Sequence, residues 1–237
     1  MIDIHTHILP GIDDGPEDMA ETLAMCRIAV EDGITDVIAT PHMLKAPYDV
    51  SRAAVLEKVA ELNARLAAEG LPLTIHAGAE IFISPEIPGL LREGRLLTLA
   101  GRGTHVFLEL TEIFLSDPVE ALIRELAEDV VTPVISHPER NAMIQKAPDL
   151  LGRFREAGAL FQVTAMSLTG GFGAETKKFT LAMLTDGFAD FIASDAHSAR
   201  WRPPVLSKAR RVAEGILGPR ALSLFMGPEG LFPRARA

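Results

Sequence analysis

The chain opens MIDIHTHILPGIDDG, which places His5, His7, Asp13 and Asp14 within fifteen residues. Further imidazoles and carboxylates follow at wide spacing: His42 in ATPH, Glu80 in GAE, Glu109 in FLEL, His137 in SHPER, and Asp195 with His197 in SDAH. Neutral imidazole nitrogen and carboxylate oxygen, without a thiolate, form a borderline-to-hard donor set. It suits Mn, Fe or Zn and is poor for a structural zinc site, so the metal it predicts is catalytic. Alternate residues of a strand face the same side, so HxH and DxH each present both members to one place.

Ligands spread over most of a chain make one site only if the fold gathers them. Apart from Asp13 and Asp14, each of these groups interrupts the end of an apolar, β-rich run. The runs predict strands near MIDIHTH, DVIATPH, LTIHAGAEIF, THVFLEL, TPVISHPE, LFQVTAMS and DFIASDAH. Helical patterns lie between them, among them PEDMAETLAMCRIAVEDG, with Pro and acids at its start and Gly at its end, and SRAAVLEKVAELNARLAAEG, capped by Ser51 and closed by Gly70. Strand-helix alternation predicts a parallel α/β architecture. Polar residues at the C-terminal strand ends point to a closed or distorted barrel, whose C-terminal rim would bring the scattered groups together. IPGLLREGRLLTLAGRG and TAMSLTGGFGAET are expected to be loops or short irregular helices. Nothing marks a repeat, a linker or a composition shift, so residues 1–237 are expected to form one domain.

Composition sets outer limits. With 48% hydrophobic and 23% charged residues the sequence is ordinary for a soluble enzyme, and its apolar runs are too short to cross a bilayer. A net charge of −9 argues against nucleic acid as the main partner. The single cysteine, Cys26, sits in the apolar pattern of MAETLAMCRIAVEDG and reads as a buried small hydrophobe; it cannot form an internal disulfide, which suits a reducing cytoplasm. So close to Met1, the HxH motif leaves no room for a secretory signal ahead of it.

Simpler readings compete at several positions. His76 and His105 lie early in their strands and read as structural histidines. The strand-end group is different, because ionisable side chains on apolar strand ends are costly unless paired or metal-bound. Asp13 or Asp14 would also serve a turn or cap the next helix. Glu109 has the alternative of an ordinary strand-end carboxylate, and Arg140 that of a surface ion pair.

HxH at the N-terminus followed by DDG, TPH, GAE, SHPER and SDAH, in that order, resembles the PHP superfamily, named for its polymerase and histidinol phosphatase members. The resemblance runs from Ile2 to about Pro204. More narrowly, IDIHTHILPGIDDGP with SHPER and SDAHSARWRPP resembles the capsule-type manganese-dependent protein-tyrosine phosphatases of the CpsB/YwqE group. Glu109 stands where many PHP proteins have His, a departure this group shares.

The resemblance implies a distorted (β/α)7 barrel with up to three divalent ions, Mn2+ first, with Fe, Zn, Co or Mg as alternatives. It implies that His5, His7, Glu80 and Asp195 hold one ion, that Glu80 bridges to a second held with Glu109 and His137, and that Asp14, His42 and His197 hold the third. Arg140 and Arg202 match phosphate-contacting residues, and Arg200 is an added local candidate. A metal-activated hydroxide is the expected nucleophile, with Asp195 or His197 assisting proton movement. The implied substrate is the phosphotyrosine-bearing tail of a bacterial tyrosine kinase that controls capsular or exopolysaccharide synthesis. A small-molecule phosphatase of the histidinol-phosphate type is the alternative. The C-terminal GPEGLFPRARA receives no role.

Overall fold

The computed structural model describes residues 1–48, 50–228 and Leu231. Most of GPEGLFPRARA lies outside the described residues. Nine strands run in chain order: β1 Ile2–Thr6, β2 Asp36–Ala39, β3 His42–Met43, β4 Thr74–Ala77, β5 Glu80–Phe82, β6 His105–Glu109, β7 Thr132–Ser136, β8 Leu160–Thr164 and β9 Phe191–Ala193. All pair in parallel, in a sheet of order β1-β2-β4 and a second of order β3-β5-β6-β7-β8-β9.

The two sheets are parts of one ring. Thr40 N donates to Thr6 O (2.8 Å), Gly78 N to Ala39 O (2.9 Å) and Glu80 N to Pro41 O (3.1 Å), so β2 continues into β3 and β4 into β5. At the other edge Asp195 N donates to His5 O (2.9 Å) and His7 N to Ala196 O (2.8 Å), joining the end of β9 to β1. Each of the expected runs therefore forms one stave, but two of the staves are broken. DVIATPH breaks at Thr40–Pro41, where proline has no N–H for the ladder. LTIHAGAEIF breaks at Gly78, whose backbone passes so close to β2 that an added Cβ would stand 2.6 Å from Ile38 Cγ2.

Helices cover the outside of the ring. Ser51 Oγ accepts from Ala54 N at 3.2 Å to open the helix Arg52–Glu69, and Gly70, at φ 65°, closes it. The cap is worth about 1 kcal/mol. The helix buries Val55, Val59, Leu62 and Leu66, at roughly 1.5–3 kcal/mol for each fully buried side chain. Asp18 caps the helix Met19–Glu31 in the same way, accepting from Glu21 N. TAMSLTGGFGAET is more regular than expected: a short helix Ala165–Thr169, a glycine turn, and the start of the helix Ala174–Thr185. The main apolar core packs the strands against these helices. A smaller cluster including Ile38, Leu99, Phe107, Val134 and Phe191 lies below the site, its Phe107 ring 5.0 Å from that of His5. Among the described residues no helix is long and apolar enough to cross a membrane.

Candidate metal centre

Short extensions beyond the apolar staves deliver the polar side chains. His5 is the penultimate residue of β1 and His7 follows the strand; His42 and Glu80 open the continuation strands β3 and β5; Glu109 ends β6; His137 follows β7; Asp195 and His197 follow β9. His137 (φ 33°) and Asp195 (φ 52°) both stand in the left-handed region, a conformation that costs a non-glycine residue about 1–3 kcal/mol and clusters at functional sites. Asp14 arrives from the DDG turn. Gly15 lets that turn lie against the first strand, since a Cβ there would meet His7 O at 2.1 Å.

All nine predicted ligand residues converge. Glu80 is fully buried, with His137 Nε2 2.9 Å and His5 Nε2 3.4 Å from Oε1, and His42 Nδ1 3.1 Å and His7 Nε2 3.5 Å from Oε2. Asp14 Oδ1 lies 3.4 Å from His197 Nε2 and 3.5 Å from His42 Nε2. Four groups have donor atoms within 4.8 Å of one another: His7, Asp14, His42 and His197; His5, His7 and Glu80; His5, His137 and Asp195; and His42, Glu80 and Glu109. His7 thus joins the set implied for the third ion. Glu109 falls with His42, and His137 with His5 and Asp195, so the set implied for the second ion is divided around their shared neighbour Glu80.

Three imidazoles are oriented by bonds pointing away from the cluster. His5 Nδ1 donates to Gln162 Oε1 (2.8 Å), His7 Nδ1 to Asp13 Oδ2 (2.7 Å) and His197 Nδ1 to Asp195 O (2.9 Å). Each leaves Nε2 facing inward, the arrangement by which outer acceptors fix the tautomer of a metal-binding histidine. Asp13 therefore does more than make a turn: it also accepts from Gly15 N and His42 N.

Burial alone would push the Glu80 and Asp195 carboxyls up. The surrounding cations outweigh it and hold both well below the usual range, His5 and His137 at Glu80, His5 and Arg202 at Asp195. Burial alone would lower His7, but Asp13 and Glu80 carry it up to about 10, whereas burial and the neighbouring His7 pull His197 down to about 4. No well-directed N–H reaches either Glu80 oxygen, although His137 Nε2 and His42 Nδ1 stand 2.9 and 3.1 Å away. A buried carboxylate whose only partners are imidazoles is unfavourable unless those imidazoles are protonated or a metal cation takes their place. The donor set fits divalent ions.

Arg140 and Arg202 both donate to Asp195 Oδ2, and their guanidinium carbons lie 4.7 and 5.8 Å from the Phe172 ring. The surface ion-pair alternative for Arg140 is set aside, because its partner is a buried residue of the cluster. Arg200 is exposed and makes no side-chain contact with the cluster, while Trp201 beside it is 82% exposed. Glu109 is not solitary either: Lys45 Nζ lies 2.7 Å from both of its oxygens. The sequence reading missed Lys45, Gln162 and Phe172. None of the three carries a periodic or motif signal, and only the fold brings them to the site. His76 pairs with Asp36 at 2.9 Å and His105 with Thr104, as structural histidines do. Cys26 is buried in the helix Met19–Glu31, where burial pushes its thiol up to about 12.

A parallel barrel with a histidine-carboxylate cluster on its C-terminal rim has the architecture of the PHP class. Histidinol phosphate phosphatase from Lactococcus lactis, solved with zinc, L-histidinol and phosphate, shares that fold at a TM-score of 0.59 and 13% identity, over 91% of this chain and 94% of its own. Nearer relatives narrow the assignment. Residues 1–226 match the family described as capsular polysaccharide synthesis, CpsB/CapC. The tyrosine-protein phosphatase YwqE of Bacillus subtilis is 41% identical over 92% of this chain and 85% of its own length, and CapC of Staphylococcus aureus 35% identical over 88% and 81%. A chain from the crystal structures of YwqE from B. subtilis and CpsB from Streptococcus pneumoniae, metal-dependent tyrosine phosphatases, superposes with a TM-score of 0.89 at 39% identity, covering 93% of this chain and 89% of its own. The chain belongs to the CpsB/CapC family.

Proposed function

We propose that the chain is a metal-dependent protein-tyrosine phosphatase, a single catalytic domain over residues 1–237 that works in the cytoplasm. Its proposed substrate is the phosphorylated tail of a tyrosine kinase serving capsular or exopolysaccharide synthesis. The observation that carries the reading is Glu80, fully buried with only imidazole nitrogens around its two oxygens, four of them within 3.5 Å. Family membership supplies the substrate class. His5, His7, Glu80 and Asp195 would hold one ion, Glu80, Glu109 and His137 a second, and Asp14, His42 and His197 a third, with Mn2+ as the first choice.

Divalent ions there would supply Lewis-acid chemistry and lower the pKa of a water to about 7. The chain's own groups do the rest. Arg140 and Arg202 each spend donors on Asp195 Oδ2 and keep others free, since a guanidinium has five N–H groups. Bidentate contacts from these to the phosphoryl oxygens would strengthen as charge redistributes in the transition state. Phe172 backs both guanidiniums. Asp195 or His197 would assist proton movement on the side of the attacking water, since Asp195 is held ionised and has no proton to give the leaving oxygen. The demand for one is modest for a tyrosine leaving group, because a phenol ionises near pH 10.

Hydrolysis of a phosphotyrosyl peptide and of histidinol phosphate, measured with Mn2+ and again after exhaustive chelation, tests the reading. The peptide should be the better substrate, activity should vanish on chelation, and Mn2+ should restore it. Full activity in metal-free protein overturns the mechanism. Preference for histidinol phosphate overturns the substrate class.

A further inference from the structure

Asp195 and Glu109 are both candidate ligands with a cationic side chain against them, yet they divide their oxygens differently. Asp195 gives Oδ2 to Arg140 and Arg202 and turns Oδ1 toward His5, His197 and His7, at 3.5, 3.6 and 3.7 Å. One oxygen therefore remains for a metal. Glu109 gives both: Oε1 and Oε2 each accept from Lys45 Nζ at 2.7 Å. The same ammonium lies 3.2 Å from His42 Nε2 and 5.9 Å from the centre of the Phe82 ring. An ammonium has protons and no lone pair, so at His42 it can only donate, and Nε2 must be the accepting nitrogen. Lys45 thus engages Glu109 through the electron pairs a metal would use, while its His42 contact is to Nε2, the nitrogen on the Asp14 side, and Nδ1 faces Glu80 and Glu109 at 3.1 and 3.5 Å.

We propose that Lys45 is a resident cation of the centre, competing with a divalent ion for Glu109 and making the position Glu109 serves the most weakly held. The proposal rests on the metal-dependent reading above. Its physical basis is charge. With the position empty of metal, Glu109 would be a partly buried carboxylate without a counter-ion, which is costly, and Lys45 removes that cost. An arriving ion must displace it. The flexible four-carbon stem can swing aside, and 27% of the Lys45 side chain is already exposed. Filling of the last position would then follow metal supply, while the other positions fill first.

The test is a titration of the metal-stripped full-length protein with Mn2+, following heat and bound metal, in wild type, Lys45→Met and Lys45→Arg. Lys45→Met should bind its last ion roughly tenfold or more tightly, a coupling of ordinary size between neighbouring sites, with the tighter ions unchanged. Lys45→Arg, which keeps the charge, should remain close to wild type. Unchanged or weaker binding of the last ion by Lys45→Met overturns the proposal, because Lys45 would then position Glu109 for the metal instead of competing with it. Absence of Mn2+ binding in all three proteins overturns the metal-dependent reading, and the proposal with it. Circular dichroism verifies folding, and Lys45→Gln carries the same expectation if the methionine variant does not fold.

Discussion

At one end of the strands His76 faces Asp36 and His105 faces Thr104, both half-buried. At the other, His5, His7, His42, His137 and His197 crowd against Asp14, Glu80, Glu109 and Asp195, and the carboxylate at the centre has only imidazoles for partners. The residue types are the same. The first end satisfies its imidazoles with local partners, as a protein surface does, whereas the second gathers donors beyond what they can satisfy among themselves. Position along the stave, rather than residue identity, separates a structural histidine from a candidate ligand.

The sharpest way to break this comparison is to remove one imidazole from each end. His137→Ala should lose metal, and its turnover should fall at least a hundredfold, because the variant lacks a ligand and leaves Glu80 less well paired. His76→Ala removes a partly exposed pair of the kind worth about 0–1 kcal/mol and should keep both metal content and turnover. Elemental analysis beside turnover on a phosphotyrosyl peptide decides the matter. Equal losses in the two variants would erase the distinction.

Arg140→Ala refines the comparison within the rim. It removes the proposed phosphate contact but none of the proposed ligands, so bound metal should stay near the wild-type level while activity falls by about thirtyfold to a thousandfold, equivalent to roughly 2–4 kcal/mol. Normal turnover, or metal loss matching His137→Ala, would remove the phosphate-binding role.

A smaller effect is expected at Gly15. Gly15→Ala sets a methyl 2.1 Å from His7 O, and overpacking of this kind costs about 1–3 kcal/mol. The denaturation midpoint should fall, and the metal next to Asp14 should be held less firmly. An unchanged midpoint would show that the DDG turn is free to move.

The smallest effect belongs to Cys26. Burial raises its pKa to about 12, so the thiol stays protonated through pH 8 and becomes reactive only as the pH approaches that value. Cys26→Ser should turn over normally, and iodoacetamide at pH 8 should label the wild-type chain only after unfolding. Rapid labelling of the folded protein, with loss of activity, would reopen a cysteine-based chemistry.

Much of this was legible in the residues. The apolar runs located every stave, and the polar interruptions at their ends located the candidate ligands other than Asp14, which came from the DDG motif, because a buried ionisable group on an apolar strand is expensive enough to be informative. The breaks at Thr40–Pro41 and Gly78 were not anticipated; they depend on how close neighbouring strands approach, which no single segment encodes. The same limit hid Lys45 and Gln162. Lys45 lies in HMLKAP, which has no period, and reaches Glu109 from a loop in which Leu44 is left-handed at φ 60°. Gln162 looks like an ordinary strand residue until the ring brings β8, which pairs with β7 and β9, within reach of His5. His137 and Asp195 could be placed by motif, but not their left-handed backbones.

The seam between β1 and the end of β9 has a consequence for how the protein is made. His5 and Asp195 are hydrogen-bonded neighbours in the finished ring, yet they are among the first and last parts of the site to be synthesised. At about 5–20 residues per second the first histidines wait roughly 10–40 s for Asp195 and His197 to follow. During that interval the nascent chain carries its metal-seeking residues without the partners that would close around an ion. On the metal-dependent reading proposed above, loading would be a late event in biosynthesis, after the final stave has docked, and a chain truncated before Asp195 would leave its early histidines without the partners proposed to close the site.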